Sequence, residues 1–218
     1  MKINIAIDGP SAAGKSTIAD IIADRLGYTH LDTGAMYRSV ALEATRKGID
    51  YEDEDALVKM IAEMKLEMPA DGSVILEGED VSEAIRTNEI SMASSAVSKH
   101  PGVRKAMVKK QQEISVGGGY ILDGRDIGTV VLTDAPVKIY LVASAEARAK
   151  RRVLQNIESG LEANYDEILE DIIQRDYQDM HREASPLCKA EDAVEIDSSD
   201  LTIEEVVAEA MKLIEKAL

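Results

Sequence analysis

A glycine-rich stretch near the start of the chain constrains the fold more than any other feature. Residues 9–16 read Gly-Pro-Ser-Ala-Ala-Gly-Lys-Ser and fit the pattern G-x-x-x-x-G-K-S/T in full. The apolar segment Lys2–Ile7 before it predicts a buried strand, and the pattern of Ser16–Leu26 after it predicts a helix. In this order, the backbone N–H groups of the loop and the positive end of the helix dipole face one point. We therefore expect this loop to bind the phosphates of a nucleoside triphosphate.

The side chains of the loop suit ATP and Mg²⁺. Lys15 is a mobile positive charge for the β- and γ-phosphates, and the Ser16 hydroxyl is a candidate Mg²⁺ ligand. The residues expected to bind ATP are Gly9, Pro10, Ser11, Ala12, Ala13, Gly14, Lys15, Ser16 and Thr17. The loop does not by itself identify the molecule that receives the phosphoryl group.

Short apolar segments alternate with helical patterns along most of the chain. Further strands are predicted at Tyr28–His30, Tyr120–Leu122, Val137–Val142 and Val194–Ile196. The helical patterns cover Gly34–Lys47, Val103–Val116, Ala145–Glu158, Asn164–Arg182 and Thr202–Ala217. This alternation predicts an α/β fold of the P-loop NTPase type, which is a parallel sheet with helices on both faces. Ligands of such folds bind beyond the carboxyl ends of the strands.

The chain is predicted to be one unit, residues 1–218, whose core comprises residues 1–49 and 100–218. Residues 50–99 look like a small inserted subdomain, with a helix near Asp53–Met64 and another that starts near Thr87. Between them, short strands are expected at Leu66–Met68 and Val74–Leu76. A short helical lid is expected at about 151–175, because two arginine-bearing helices flank the stretch 158–163 around Gly160.

Charge and composition argue against several classes of protein. The net charge of −16 disfavours a nucleic-acid-binding surface, which needs a basic patch. No apolar run approaches the roughly 18–20 residues that span a membrane, and no signal peptide is expected. The single cysteine, Cys188, cannot form an internal disulfide, which favours the cytoplasm. The three histidines are too scattered in sequence to suggest a metal site, and a monomer is expected because no apolar stripe demands a partner.

Several segments together carry a resemblance to a known family. They are Ile7–Thr17, Leu31–Arg38, Leu76–Val81, Ile85–Thr87, Asp123–Thr129 and Asp134–Tyr140, followed by Arg175-Asp176 and Pro186-Leu187. In this order and spacing the chain resembles bacterial cytidylate kinase over essentially its whole length. The resemblance implies transfer of the γ-phosphoryl group of ATP to CMP or dCMP, giving ADP and CDP or dCDP.

The resemblance also implies which residues contact the acceptor nucleotide. Arg125 and Arg182 would bind its phosphate, and Arg175 and Asp179 its sugar. Asp126 would accept a hydrogen bond from the exocyclic amino group of cytosine, which uracil lacks. The insert would be an acceptor-binding module. The full set of expected acceptor contacts is Thr33, Arg38, Ser95, Arg104, Arg125, Asp126, Arg175, Asp179 and Arg182.

Positively charged side chains are expected to supply the catalysis by neutralising charge on the phosphoryl oxygens. The expected catalytic residues are Lys15, Arg125, Arg152, Arg175 and Arg182. No general base is expected, because the acceptor phosphate is already ionised near neutral pH. Asp123 ends a predicted strand near the P-loop and is expected to bind Mg²⁺ together with Ser16. A purely structural role for Asp123, capping its loop, stays open.

Other functions stay open at this point. One is another small-molecule P-loop kinase with UMP or AMP as its acceptor. The other is a GTP or ATP switch protein, although the N-K-x-D string that reads guanine is absent from the sequence. The arginines of the predicted lid also have an ordinary interpretation, since basic residues on exposed helices are usually solvated or paired with nearby carboxylates.

Overall fold

The computed structural model describes residues 2–158, 160 and 162–218. The strands of the described residues fall into two sheets. Their bounds are β1 (Ile5–Asp8), β2 (Thr29–Asp32), β3 (Leu66–Glu67), β4 (Ile75–Leu76), β5 (Glu79–Asp80), β6 (Tyr120–Gly124), β7 (Val137–Val142) and β8 (Val194–Asp197). The main sheet has the order β2-β6-β1-β7-β8, and all its neighbouring strands pair in parallel. Parallel pairing brings the carboxyl ends of these strands to one edge, where ligands are expected.

The helices of the described residues fill the connections between the strands. Their bounds are α1 (Lys15–Leu26), α2 (Thr33–Lys47), α3 (Glu54–Glu63), α4 (Asn88–Val97), α5 (Pro101–Ile114), α6 (Ala145–Glu158), α7 (Tyr165–His181) and α8 (Ile203–Glu215). The predicted α/β fold of a parallel sheet with helices around it is confirmed. The predicted bounds agree within three residues, the largest difference being at the start of β1, and those of β7 and α6 agree at both ends.

Alternation along the strands sends apolar side chains to both faces of the main sheet. Ala6 and Leu122 point into one cluster, which also holds residues of α2, α3, α4 and α5. Ile5, Ile7 and Ile121 point into a second cluster with α1 and α8. Because successive residues of a strand face opposite sides, a strand covered by helices on both faces must be apolar throughout. The short isoleucine-rich strands of this chain meet that demand.

Helix ends follow capping rules that are visible in the sequence. Gly48 has φ of 64° and ends α2, as expected of a glycine after the last helical residue. Thr202 and Glu205, spaced as T-x-x-E, form a reciprocal capping box at α8. At α7 the Asn164 side chain accepts from the backbone N–H of Glu167. The Glu167 carboxylate accepts from the side-chain amide of Asn164 and not from its backbone N–H. That helix is therefore capped without a full reciprocal box.

Residues 50–99 contain α3, α4 and a small antiparallel sheet of order β3-β4-β5. A hairpin or three short strands were expected here, but the position of strand β5 was not predicted, because Glu79–Asp80 is two exposed acidic residues with no apolar period. The apolar residues of this segment do not form a separate core. Leu57 and Leu76 join Met36 and Met107 in the cluster that also packs beneath the main sheet. The hydrophobic core is therefore continuous across residues 50 and 99. The division of the chain at these residues stays a prediction, based on the expected role of the segment in binding the acceptor.

Two further features bear on the site. A π-helical turn at Ile127–Val131 follows β6, and the sequence pattern did not predict it. Its backbone N–H groups at Ile127 and Gly128 donate to the buried Asp8 carboxylate at 2.8 and 2.7 Å. Among the described residues, no helix has the length and apolarity needed to cross a membrane.

Candidate active site

A cleft of about 970 Å³ opens beyond the carboxyl ends of β1, β2 and β6. Its walls include residues of the P-loop, the start of α2, the loop after β6, and helices α4, α6 and α7. The residues predicted to act at the site converge here from seven separate segments of the chain. All of them line the cleft except Gly9 and Pro10.

The P-loop is shaped by backbone conformations that only certain residues adopt. Gly9 has φ of 150°, and a Cβ there would lie 2.0 Å from the Leu141 carbonyl oxygen of the neighbouring strand. Gly14 has φ of 96° just before the first residue of α1. Ala12 has φ of 60°, a left-handed conformation that is uncommon for a residue with a side chain. The turn places residues 11–17 on the cleft wall, while Gly9 and Pro10 form the turn behind it.

Lys15 lies inside the curve of the loop. Its Nζ donates to the Pro10 carbonyl at 2.8 Å, and the residue is only 6% exposed. Burial and the nearby Arg125 lower the pKa of Lys15 to about 7. A bound polyphosphate would place negative charge beside this ammonium group and stabilise its charged form, so the local electrostatics favour an anion.

Ser16 and Asp123 form a pair of oxygen donors beside the loop. The Ser16 hydroxyl donates to Asp123 Oδ2 at 3.0 Å. Burial alone would raise the pKa of Asp123, but hydrogen bonds from His30 and Ser16 and the charge of Lys15 hold it below its ordinary value. Mg²⁺ prefers oxygen ligands and commonly takes one or two from the protein and the rest from phosphates and water. Within the described residues no three His, Cys, Asp or Glu side chains cluster as a metal set, so this small donor set suits Mg²⁺ held jointly with phosphates.

His30 is a residue of the site that the sequence did not reveal. Its Nε2 lies 2.8 Å from Asp123 Oδ1, and its Nδ1 lies 2.6 Å from Asp20 Oδ1. Burial would lower the pKa of His30, but the two carboxylates outweigh burial and raise it to about 10. The scatter of the three histidines along the sequence gave no indication of this contact, since His30 and Asp123 lie 93 residues apart. The available signal was a titratable residue on β2 near the carboxyl edge of the sheet.

Opposite the P-loop, charged side chains from distant segments form ion pairs. Arg104 of α5 donates to Asp126 Oδ2 at 2.6 Å, and both residues are buried. Arg125 Nε donates to Asp179 Oδ2 of α7 at 2.8 Å. Arg182 Nη2 lies 4.0 Å from Asp126 Oδ1, beyond hydrogen-bond distance. The sequence could not show these pairs, because their members lie between 22 and 56 residues apart in the chain.

Three buried guanidinium nitrogens of this region have no hydrogen-bond partner among the described residues: Arg38 Nε, Arg104 Nε and Arg182 Nη2. An unpaired buried donor costs free energy, so such groups point to a ligand that completes them. Tyr37 lies beside these arginines, with its ring centre 5.5 Å from the Arg104 guanidinium carbon. Cations, a carboxylate and an aromatic ring together suit an anionic molecule with a flat polar base.

The start of α2 holds two of the predicted acceptor contacts. The Thr33 hydroxyl donates to the Asp123 carbonyl at 2.7 Å, and Thr33 lines the cleft. Arg38 donates to Asp32 Oδ2 at 2.9 Å, and Asp32 also caps the helix by accepting from the Ala35 N–H. Ser95 of α4 is exposed on the cleft wall.

The helices of the predicted lid place their arginines differently. Arg175 of α7 and Arg182, which directly follows that helix, are half-buried and line the cleft, and Arg152 of α6 is exposed at its wall. Arg148, one turn before Arg152, is buried and paired with Asp176. Positions 159 and 161 of the predicted lid lie outside the described residues. The cleft also has an unpredicted wall, beside the P-loop, that includes Ser198 and Leu201 from the segment before α8.

Comparison with known proteins agrees with a site for a nucleoside triphosphate and a second nucleotide. The family model described as "Cytidylate kinase" matches residues 5–216. The chain belongs to the cytidylate kinase family. A cytidylate kinase of Bacillus velezensis is 48% identical over 218 residues, which cover 99% of this chain and 97% of that protein. A cytidylate kinase of Bacillus pumilus is 50% identical over 213 residues, covering 96% and 95%.

Solved structures share the fold at much lower sequence identity. A shikimate kinase from Bacteroides thetaiotaomicron superposes with a TM-score of 0.50 at 15% identity, and the match covers 98% of each chain. An uncharacterised protein from Eubacterium ventriosum gives a TM-score of 0.53 at 12% identity over 99% of each chain. These two structures support the architecture of this member of the cytidylate kinase family and carry no information about its substrates.

Proposed function

We propose that this protein transfers the γ-phosphoryl group of ATP to CMP, giving ADP and CDP. The observation that carries the proposal is one cleft in which a P-loop faces the buried Arg104–Asp126 pair. The first element suits a nucleoside triphosphate, and the second suits an amino-bearing base. Membership of the cytidylate kinase family and relatives of that name at about 48–50% identity support the same reaction.

Cytosine recognition is assigned to Asp126 and Arg104. The Asp126 carboxylate accepts hydrogen bonds only, so it suits the exocyclic amino group of cytosine and not the carbonyl oxygen of uracil. Arg104 holds that carboxylate in place at 2.6 Å and retains an unpaired Nε. Ser95, on the facing wall of α4, is assigned a further contact to the base.

The acceptor phosphate is assigned to Arg38, Arg125 and Arg182, and the sugar to Arg175 and Asp179. Burial and the neighbouring Arg125 lower the pKa of Arg175, and burial and Arg104 lower that of Arg182. Like charges gathered at a half-buried site repel one another until an anion joins them. The planar guanidinium fork of Arg38 and of Arg182 suits phosphate oxygens better than a lysine would.

The chemistry is assigned to charge and position, with no general base. Lys15 would hold the β- and γ-phosphates, while Arg125, Arg152, Arg175 and Arg182 would neutralise charge as the phosphoryl group moves. Ser16 and Asp123 would hold Mg²⁺, which would supply further neutralisation of phosphate charge. The helices that carry these arginines would exclude water, so that the phosphoryl group reaches the acceptor and not a water molecule.

The finer assignments are proposals of the same kind. We take dCMP to be a second acceptor and the working form to be a cytoplasmic monomer. We expect no nucleic-acid partner, since the net charge of −16 would repel a polyanion away from the cleft.

The decisive experiment is ADP release by the purified protein with Mg·ATP and a panel of acceptors. CMP, dCMP, UMP, AMP and GMP would be compared with a reaction that lacks an acceptor. Release that depends on CMP or dCMP is the expected result. Release with UMP or AMP in place of CMP would contradict the role given to Asp126. Equal release without any acceptor would show an ATPase or a switch protein and refute the proposal.

A further inference from the structure

Arg148 is buried where three parts of the cleft meet, yet it does not line the cleft. Its Nε donates to the carbonyl of Ala143, just beyond β7, at 2.9 Å. Its Nη1 donates to the carbonyl of Ser11 in the P-loop at 3.0 Å. Nη1 and Nη2 also reach the two carboxylate oxygens of Asp176 on α7, at 3.0 and 2.5 Å. One planar group therefore bonds the sheet, the ATP-binding loop and the helix that carries acceptor contacts.

The partners of Arg148 stand directly beside residues assigned to the two substrates. Ser11 precedes Ala12, whose left-handed φ of 60° requires support from its surroundings. Asp176 follows Arg175 and lies one turn before Asp179 on the same helix. A bidentate pair between a guanidinium and a carboxylate fixes orientation as well as distance. A shift of the P-loop carbonyl would therefore be passed to α7 through a single rigid side chain.

We propose that Arg148 is a positioning residue that couples the P-loop to α7, so that ATP and the acceptor favour one common arrangement of the cleft. The proposal rests on the proposed function, because it takes CMP as the ligand on the α7 side. Coupling between two binding sites is reciprocal: a ligand that stabilises the arrangement on one side tightens binding on the other. If Arg148 only stabilised the fold, its substitution would leave the effect of ATP on CMP affinity unchanged.

The test is the affinity for CMP measured by calorimetry, with and without a saturating β,γ-imido analogue of ATP. In the wild type we expect the analogue to tighten CMP binding by about five-fold or more. In Arg148→Lys the effect should fall below about two-fold, because a single ammonium cannot bond to three partners in the guanidinium geometry. Asp176→Asn keeps the volume and removes the charge, and it should lower the effect in the same direction.

The matched control is Glu43→Gln. Glu43 is a buried carboxylate on α2 whose partner is Lys47 at 3.1 Å, and it does not line the cleft. This variant loses the charge of a buried carboxylate and its ion pair with an exposed lysine, and it should keep the wild-type effect. Should Arg148→Lys fail to fold, as judged by circular dichroism, Asp176→Asn decides alone.

The outcomes separate this inference from the proposed function. The coupling would be overturned if the folded variants kept the tightening of CMP binding seen in the wild type. It would also be overturned if the analogue left the CMP affinity of the wild type unchanged. A wild type that binds the analogue but not CMP would overturn the proposed function, and the coupling with it. Loss of the effect in both variants, with the control unchanged, is the expected result.

Discussion

The two sides of the cleft are constructed in different ways. The donor side, residues 9–17, comes from one continuous stretch and presents backbone N–H groups set by the conformations of Gly9 and Gly14. The acceptor side assembles side chains from α2, α4, α5, the loop after β6 and α7. Backbone groups within one loop are fixed by local conformation, whereas side chains from five segments depend on the packing of the whole fold. The donor side should therefore tolerate distant changes better than the acceptor side.

The difference extends to how each side holds its charge before substrates bind. On the donor side a single cation, Lys15, lies buried against the Pro10 carbonyl with its pKa lowered to about 7. On the acceptor side, Arg104 pairs with Asp126 and Arg125 pairs with Asp179. Lys15 bonds to a neutral carbonyl and has the carboxylates of Asp123 and Asp8 only as neighbours, so a ligand would complete its compensation, while the paired arginines are already compensated and act by their geometry.

The largest expected effect is on the donor side. Lys15→Met should lower kcat by about 10³-fold, because the variant loses a preorganised charge that acts on the phosphoryl group. Its stability should stay the same or rise, since an apolar side chain replaces a buried and desolvated ammonium group. Steady-state kinetics with ATP and CMP, together with urea unfolding, would check both parts.

A marked loss of stability in Lys15→Met would show that the lysine is structural and would break the contrast between the two sides. Thr17→Ala, which alters a neighbouring exposed residue of the same loop, serves as the control for general damage to the P-loop. It should retain far more activity than Lys15→Met.

The next effect is on the acceptor side. Asp126→Asn should lower kcat/KM for CMP by about 10²-fold, because a site that pairs with an amino group then presents a donor to it. The preference for CMP over UMP should shrink, since an amide can donate to the carbonyl oxygen of uracil. Kinetics with both acceptors, at several concentrations each, would give the two ratios.

Asp179→Asn is the matched variant for this comparison, as it removes a carboxylate that pairs with Arg125 and not with Arg104. It should weaken CMP and UMP alike. An unchanged ratio of CMP to UMP in Asp126→Asn would refute the assignment of base recognition to Asp126.

The same contrast explains how far the sequence predicts this molecule. The P-loop was predictable in full, because its residues are contiguous and each has a local physical purpose. Strands such as β7 were predictable because burial on both faces demands an unbroken apolar run. Arg175, Asp179 and Arg182 were recognisable as one face of a helix from their spacing, although their partners were not.

The rest depended on contacts that no local pattern encodes. The link from His30 to Asp123 joins residues that are 93 positions apart. The π-helical turn at Ile127–Val131 exists where Asp8, from a different strand, accepts two of its N–H groups. The sequence shows Arg148 only as a basic residue on a predicted helix, and its burial became visible only when α6, α7 and the P-loop were placed together. Long-range pairing thus sets the limit of prediction for the acceptor side.

A smaller effect concerns Asp8, which joins the two sides. Burial raises the pKa of this carboxyl to about 6 from an ordinary value of 3.8. Because the folded pKa is the higher one, the stabilisation that it gives is present below pH 3.8 and is lost as pH rises through 6. The wild type should therefore lose about 2 kcal/mol of stability relative to Asp8→Asn between pH 4.5 and pH 7.5. Urea unfolding of both proteins at the two pH values measures this difference.

Asp192→Asn is the control for this pH effect. Asp192 is an exposed carboxylate that accepts from Lys138, and that hydrogen bond lowers its pKa. Its stabilisation is present above pH 3.8 and is lost only at lower pH, so its substitution should shift stability equally at pH 4.5 and 7.5. A constant difference between wild type and Asp8→Asn over this range would mean that Asp8 ionises normally.

The smallest expected effect tests the edge of the acceptor side. Ser95 is exposed on α4, and its hydroxyl is assigned a contact to the base with no charge involved. Ser95→Ala should raise the KM for CMP by about three-fold, in line with one neutral hydrogen bond, and should leave kcat and the KM for ATP unchanged. Ser98→Ala, one turn further along and also at the cleft wall, removes a hydroxyl that already donates to the Ser95 carbonyl at 3.2 Å, so it should change none of the three constants. A kcat loss in Ser95→Ala, or an equal KM change in both variants, would show that α4 acts through its packing. The residues that recognise the base would then not include Ser95, and specificity for the base would rest on Asp126 and Arg104 alone.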